Sequence, residues 1–118
     1  MRLEAAKLLE DIRVAASDAL DMAAGKTFEQ FARDKQLRYA IERCFEIADE
    51  ALSQLNKIEP AIAQQITDWR AIIGFRNVLI HGYAAVHHDK TWDIVVSELP
   101  TLLREVTAML EEPANGAR

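Results

Sequence analysis

The sequence is poor in cysteine, glycine and proline, and these shortages narrow the class of protein. Its single cysteine, Cys44, cannot form an intramolecular disulfide and suits a reducing compartment. Four glycines and three prolines in 118 residues favour a helical protein with few loops. No apolar run approaches the roughly 20 residues of a membrane span, and the first residues lack a signal-peptide pattern. We therefore expect a cytoplasmic protein without a membrane anchor.

An excess of positive charge is also lacking. The formal net charge of −5 argues against broad, nonspecific binding of nucleic acid, which depends on neutralisation of phosphates. Residues 68–90 are less acidic than the rest of the chain, because they contain three cations and two carboxylates: Arg70, Arg76, Lys90, Asp68 and Asp89. All three histidines fall in the same segment. A local site for phosphate is therefore compatible with the acidic chain.

Hydrophobic residues make up half of the chain, and many of them recur at helical spacing. The pattern predicts one domain over residues 1–118, of which 113–118 form a flexible tail. The expected fold is all-α, an antiparallel four-helix up-and-down bundle. The predicted helices run from Leu3 to Ala24, from about Phe28 to Asn56, from Trp69 to near Gly82, and from Lys90 to about Glu112.

Several residues mark the ends of these helices. Thr27 and Gln30 have the spacing of a capping box at the start of the second helix. Thr67 or Asp68 is expected to cap the third helix and Asp89 the fourth. Pro100 is expected to bend or divide the fourth helix, since proline lacks an N–H and crowds the preceding turn. A short turn is expected after Pro60.

The predicted third helix ends in a stretch that gathers four chemically useful side chains, Arg76, Asn77, His81 and Tyr83. Arg76 and His81 are offset by about 140° on an ideal helix, while Asn77 and His81 share a face. An arginine fork matches phosphate oxygens, and histidine titrates near neutral pH. This set suits metal-independent cleavage of RNA, although an arginine and a histidine at a helix end can also simply cap carbonyls or pair with carboxylates.

One chain supplies one imidazole at this site, whereas the cleavage of a phosphodiester uses both an acid and a base. A symmetric dimer that brings two such helices together would supply the second imidazole. We therefore expect a homodimer on mechanistic grounds.

Residues 72–83, Ile-Ile-Gly-Phe-Arg-Asn-Val-Leu-Ile-His-Gly-Tyr, resemble the signature of the HepT-like toxins of the HEPN superfamily. The resemblance extends to Thr27-Phe28-Glu29-Gln30-Phe31 and to Trp92-Asp93 and Leu99-Pro100, and so covers most of the chain. It implies a four-helix bundle that dimerises across the motif helices. It also implies an RNA endonuclease, acting on tRNA or mRNA without a cofactor, in which Arg76 and His81 are catalytic and Asn77 assists.

The resemblance further implies a toxin–antitoxin system of a bacterium or archaeon. The usual partner is a minimal nucleotidyltransferase antitoxin of the MntA type, which transfers AMP to the tyrosine of the motif. Tyr83 occupies that position and is the expected modification site. Phosphate charge and bulk beside Arg76 would then block the place where RNA phosphate must bind.

Other residues admit more than one interpretation. His87, His88 and Lys90 could contact RNA, and a metal site at His87-His88-Asp89 is the less favoured alternative. Asp49 is expected to be solvated. A further set of cations could touch RNA, but surface salt bridges are the preferred interpretation for them: Arg33, Lys35, Arg38 and Arg43.

A second class of function stays open at this point. The chain could be a non-catalytic helical adaptor that binds nucleotide or a nucleotidyltransferase. The intact Arg76, His81 and Tyr83 favour the nuclease.

Overall fold

The structure of the protein, a computed structural model, describes residues 1–80 and 88–111, with only the backbone described for residues 75–80. All regular elements in these ranges are helices, so the predicted all-α class is confirmed. They are α1 Leu3–Ala23, α2 Phe28–Arg33, α3 Lys35–Ile58, α4 Pro60–Ala63, α5 Trp69–Ile80, α6 His88–Asp93, a π segment Ile94–Glu98, and α7 Leu99–Glu111. The predicted tail, 113–118, lies outside the described residues.

α1 and α3 form the centre of the bundle. α1 carries small buried residues, including Ala15, Ala16 and Ala19, and it packs on α3 and α7. Small side chains allow helix backbones to approach closely. α3 also packs on α5, and α1 packs on α7, so these four long elements share one core. Its largest fully buried side chains include Phe31, Leu9, Ile12, Ile41 and Leu52.

The prediction of one continuous second helix is wrong, because the helix is interrupted at Asp34. Thr27 and Gln30 form the predicted capping box, in which the Gln30 N–H donates to Thr27 Oγ1 at 3.1 Å and the Thr27 N–H to Gln30 Oε1 at 2.8 Å. The helix that follows is only α2. Asp34 then caps α3 by accepting the Leu37 N–H at 3.0 Å.

The last helix also departs from a continuous α-helix. It begins at His88, so Asp89 stands inside its first turn and the prediction that Asp89 is the N-cap is wrong. Ahead of Pro100 the chain adopts a π segment, where the Leu99 N–H donates to the Ile94 carbonyl. A wider turn accommodates the missing N–H and the ring of the proline, which accounts for the predicted irregularity.

No helix in the described part of the chain is both long enough and apolar enough to cross a membrane. Cys44 is buried on α3 as a free thiol, as its neighbours predict, and burial raises the pKa of this thiol.

Candidate active site

α5 is the element that carries the first half of the motif. Arg76 and Asn77 lie on its helical backbone, in agreement with the predicted third helix. His81, Tyr83 and His87 lie outside the described residues, as do their side-chain contacts. The catalytic, modification and RNA-contact roles given to these residues therefore stay predictions.

The start of α5 is tied to α7 by a pair of hydrogen bonds. The Thr67 N–H donates to Glu105 Oε1 at 2.9 Å, and the Thr67 hydroxyl donates to Glu105 Oε2 at 2.6 Å. Asp68 follows with a φ of 57°, in the left-handed region, and its carbonyl accepts the Ile72 N–H at 3.0 Å. Thr67 thus anchors the helix to the bundle, and Asp68 turns the chain into the first turn of α5.

The first half of α5 fixes its position by apolar packing. Trp69, Ile72 and Ile73 are partly buried against the core. Trp69 also receives the Arg70 guanidinium over its ring, 5.2 Å from the centroid. The first half of the motif therefore lies on a helix that packs on α3 and is anchored at its N-terminal end.

A cavity of about 90 Å³ lies beside this helix, between α3, α5, the π segment and α7. Its walls are mainly apolar, but two carboxylates, Asp49 and Glu98, also line it. Asp49 is only 3 % exposed, so the expectation of a solvated Asp49 is wrong. Its position on the helix explains the burial, because Asp49 stands one turn after the buried Phe45 and so falls on the core stripe of α3.

Glu98 is the second carboxylate of this cavity, and its pKa is raised above the usual range. Partial burial of the carboxyl is the main cause, followed by the charge of Asp68 and a hydrogen bond with the Asp68 side chain. Two acidic residues thus face each other where α5 begins. The sequence does not predict this pair, because residues 30 positions apart leave no spacing signal.

α6 carries the two predicted RNA contacts that the structure describes, His88 and Lys90. The His88 ring meets the edge of the buried Phe31 ring, with centroids 6.3 Å apart, and its Nδ1 atom is buried without a hydrogen-bond partner among the described residues. Desolvation, and then the charge of Arg38, lower the pKa of His88. His88 is therefore a neutral imidazole at pH 7, whereas Lys90 is exposed and cationic.

The structure groups some predicted site residues and not others. Arg76 and Asn77 share α5, and His88 and Lys90 share α6, which packs on α2. Among the described residues, no cluster of three or more His, Cys, Asp or Glu side chains is arranged to hold a metal ion. The chemistry available from the named residues is that of a cation, an amide and imidazoles.

The described residues form an all-helical bundle, and its helix α5 carries Arg76, which stands five residues before His81 in the sequence. A family model described as "Ribonuclease HepT-like" matches residues 3–109. The match covers every described helix except the last two residues of α7.

Two relatives agree with the family match. "Putative RNase MJ1380" of Methanocaldococcus jannaschii is 31% identical over 98 residues, which cover 83% of this chain and 89% of the relative. "Probable ribonuclease HepT" of Thermococcus cleftensis is 31% identical over 94 residues, covering 80% of this chain and 84% of the relative. No solved structure matches. The chain belongs to the HepT-like ribonuclease family, and the predicted class of ribonuclease is confirmed at that level.

Proposed function

We propose that the protein is the RNA endonuclease toxin of a toxin–antitoxin system and that Arg76 and His81 perform the cleavage. One observation carries the proposal: the family match extends over the whole motif, and the structure builds its first half, including Arg76 and Asn77, as a helix packed on the bundle. A packed helix holds catalytic groups more accurately than a free loop does.

The chemistry assigned to these residues balances without a metal ion. An imidazole accepts the proton of the ribose 2′-hydroxyl as that oxygen attacks the adjacent phosphorus. The bond from phosphorus to the 5′ oxygen breaks, and a second, protonated imidazole gives its proton to the departing oxygen. Arg76 stabilises the charge that develops on the phosphate oxygens, and Asn77 orients the phosphate or the ribose. The products are a 2′,3′-cyclic phosphate and a 5′-hydroxyl end.

The need for two imidazoles supports a homodimer as the active form. Each chain would contribute one His81 to the pair of motif helices. His87, His88 and Lys90 would contact the RNA near this place. His88 would do so as a neutral donor or acceptor because its pKa is lowered.

Tyr83 is assigned a separate, regulatory role in this proposal. An MntA-like nucleotidyltransferase encoded beside the toxin would transfer AMP from ATP to its phenol oxygen, with release of pyrophosphate. Each AMP adds a negative charge where the phosphate of RNA must bind, which would silence the nuclease. The setting of both proteins would be the cytoplasm.

The test of the nuclease is cleavage of total RNA in the presence of EDTA. The parent chain is expected to cut and to leave cyclic phosphate ends, whereas His81→Ala should lose at least about 100-fold in rate. Arg76→Lys should also be impaired, because a lysine lacks the planar fork. Lys57→Gln, an exposed change at the far end of α3, is the matched control and should cut like the parent.

Two results would contradict the assignment. If His81→Ala cut as fast as the parent, the catalytic role of His81 would be wrong. If a folded dimer of the parent made no product at any concentration, the chain would be the non-catalytic adaptor instead.

The regulatory part has its own measurement. Intact mass of the chain, produced with and without its genetic neighbour, should differ by whole AMP units that map to Tyr83. The Tyr83→Phe chain should stay unmodified and toxic in the same co-expression. An unchanged mass of the parent together with full neutralisation would point to inhibition by binding alone.

A further inference from the structure

The junction of α2 and α3 forms an open, cationic depression on an otherwise acidic protein. The depression has a volume of about 500 Å³, and its cationic lining residues are Lys26, Arg33 and Lys35. The acidic residue of the lining is Asp34, whose carboxylate is engaged in capping α3. The break between the two helices thus brings cations of α2, α3 and the preceding loop around one hollow.

Arg38 extends this surface toward α6. Its guanidinium donates to the carbonyl of Ala32 near the end of α2, which holds the side chain against the junction. It is also close enough to His88 for its charge to lower the pKa of that imidazole. We name Lys26, Arg33, Lys35 and Arg38 the basic surface. α6, the element it approaches, begins at His88, five residues after Tyr83 of the motif.

The cations of the basic surface take part in none of the ion pairs found in the described part of the chain. Those pairs use Arg2, Lys7, Arg13 and Arg43. The preferred interpretation of surface salt bridges therefore holds for Arg43, which reaches Glu46 at 3.2 Å, and does not extend to Arg33, Lys35 or Arg38.

Nearby acidic groups compensate this charge only in part. Glu29 is exposed on α2, and Glu42 stands one turn after Arg38, where burial raises the pKa of its carboxyl despite the charge of Arg38. Unpaired cations that converge on a hollow repel each other, and a bound polyanion relieves that repulsion.

We propose that the basic surface binds the sugar-phosphate backbone of the RNA substrate. The inference rests on the proposed function, because it takes RNA as the substrate. Arginine forks and lysine ammonium groups bind phosphate oxygens well. Apart from Leu37 and the Asp34 carboxylate, the described lining of the depression is polar or cationic, and none of its residues has an aromatic ring on which a base could stack. Such a surface positions an RNA strand without reading its sequence.

The test measures RNA binding separately from cleavage. The His81→Ala chain, which should bind without cutting, is titrated into a fluorescent single-stranded RNA oligonucleotide at several salt concentrations. Adding Arg33→Gln and Lys35→Gln should weaken binding about tenfold and reduce the slope of log affinity against log salt by about 1.4, the value for two lost phosphate contacts.

A charge-matched control removes two exposed cations elsewhere, Lys57→Gln and Arg104→Gln, from the same His81→Ala chain. Lys57 lies roughly 33 Å along α3 from Lys35, by the rise of an α-helix. The control should keep the parent affinity and salt slope to within about twofold. Circular dichroism and thermal unfolding of each variant establish that it is folded.

The outcomes separate this inference from the proposed function. One outcome is that the parent cuts RNA while the Arg33→Gln/Lys35→Gln variant binds RNA as tightly as the Lys57→Gln/Arg104→Gln control. In that case the basic surface is not an RNA site, and an acidic protein becomes the expected partner of this surface. If the parent does not cut but RNA binding still depends on Arg33 and Lys35, the nuclease assignment fails and the RNA-binding surface stands.

Discussion

Phe31 is the residue that joins the short helix α2 to the last part of the bundle. Its side chain is fully buried, with its ring 5.1 Å from that of Trp92 and 6.3 Å from that of His88. Aromatic rings at these separations add specific contact energy to their burial. Phe31 therefore helps to fix α6, which also packs on the π segment, against the short helix α2.

We expect Phe31→Ala to destabilise the protein by about 3–5 kcal/mol, the usual effect of deleting a buried aromatic ring. Urea denaturation followed by circular dichroism measures this free energy of unfolding. Phe28→Ala is the matched control, because Phe28 lies on the same helix with 36 % of its surface exposed, and it should cost about 1 kcal/mol or less. A loss of about 1 kcal/mol or less for Phe31→Ala as well would show that its buried ring contributes little to stability.

His88 makes the stability of the fold depend on pH. Desolvation lowers its pKa in the folded chain below the value of 6.5 that it has when unfolded. The unfolded chain therefore binds the proton more readily, so stability is complete above about pH 6.5 and falls as the pH decreases below it. Arg38 on α3 opposes protonation in the fold, and Asp89 favours it more weakly.

We expect the melting temperature of the parent to fall more steeply between pH 7.5 and pH 5 than that of His88→Gln. Glu42 and Glu98 have raised pKa values and lose their contribution as the pH rises, which is the opposite sign. Both are present in parent and variant, so their effects cancel in the comparison. Parallel melting curves across this range would mean that the His88 ring titrates as it does in solvent.

The residue scale also shows what a sequence can and cannot reveal about the site. Arg76, Asn77, His81 and Tyr83 are recognisable because their chemistry and spacing are local. Asp49 is predicted wrongly because carboxylates are usually exposed, although its helical position on the stripe of Phe45 pointed inward. Glu98 and Asp68 meet only through the fold, so no local pattern could pair them.

At the scale of elements, the helix boundaries follow from capping chemistry more than from hydrophobic spacing. The apolar stripe is compatible with one long helix after Thr27, and nothing in the period forbids it. The chain nevertheless breaks at Asp34, which has an extended backbone with φ −97° and ψ 98° and accepts the Leu37 N–H. A second cap inside an apolar pattern is therefore the signal for such a break.

Asp34→Ala should cost about 1 kcal/mol of stability, since it removes the side-chain acceptor at the start of α3. Asp34→Asn is the matched control, because asparagine caps a helix about as well as aspartate. Chemical denaturation gives both values. If the alanine variant were as stable as the asparagine variant, packing alone would set the break, and the cap would be incidental.

At the scale of the whole molecule, an acidic protein must bind a polyanion with few cations. The net charge of −5 repels RNA at long range, so the attraction has to come from local groups. Arg33, Lys35 and Arg38 of the basic surface lie on α2 and α3, and α2 packs both on α3 and on α6, the helix of Lys90. The acidic remainder of the surface would limit nonspecific binding to other nucleic acids.

The number of histidines that one cleavage event uses distinguishes a shared site from two separate sites. We expect a purified mixed dimer of one parent chain and one His81→Ala chain, isolated through two different affinity tags, to be almost inactive, because acid and base would come from different chains. A mixture of equal amounts of the two chains, after full exchange, should then keep roughly a quarter of the parent activity. A mixed dimer with half of the parent rate would show instead that each chain cuts with its own histidine. A dimer of two parent chains that carry the same two affinity tags controls for the effect of the tags. Sedimentation measures whether each sample is a dimer.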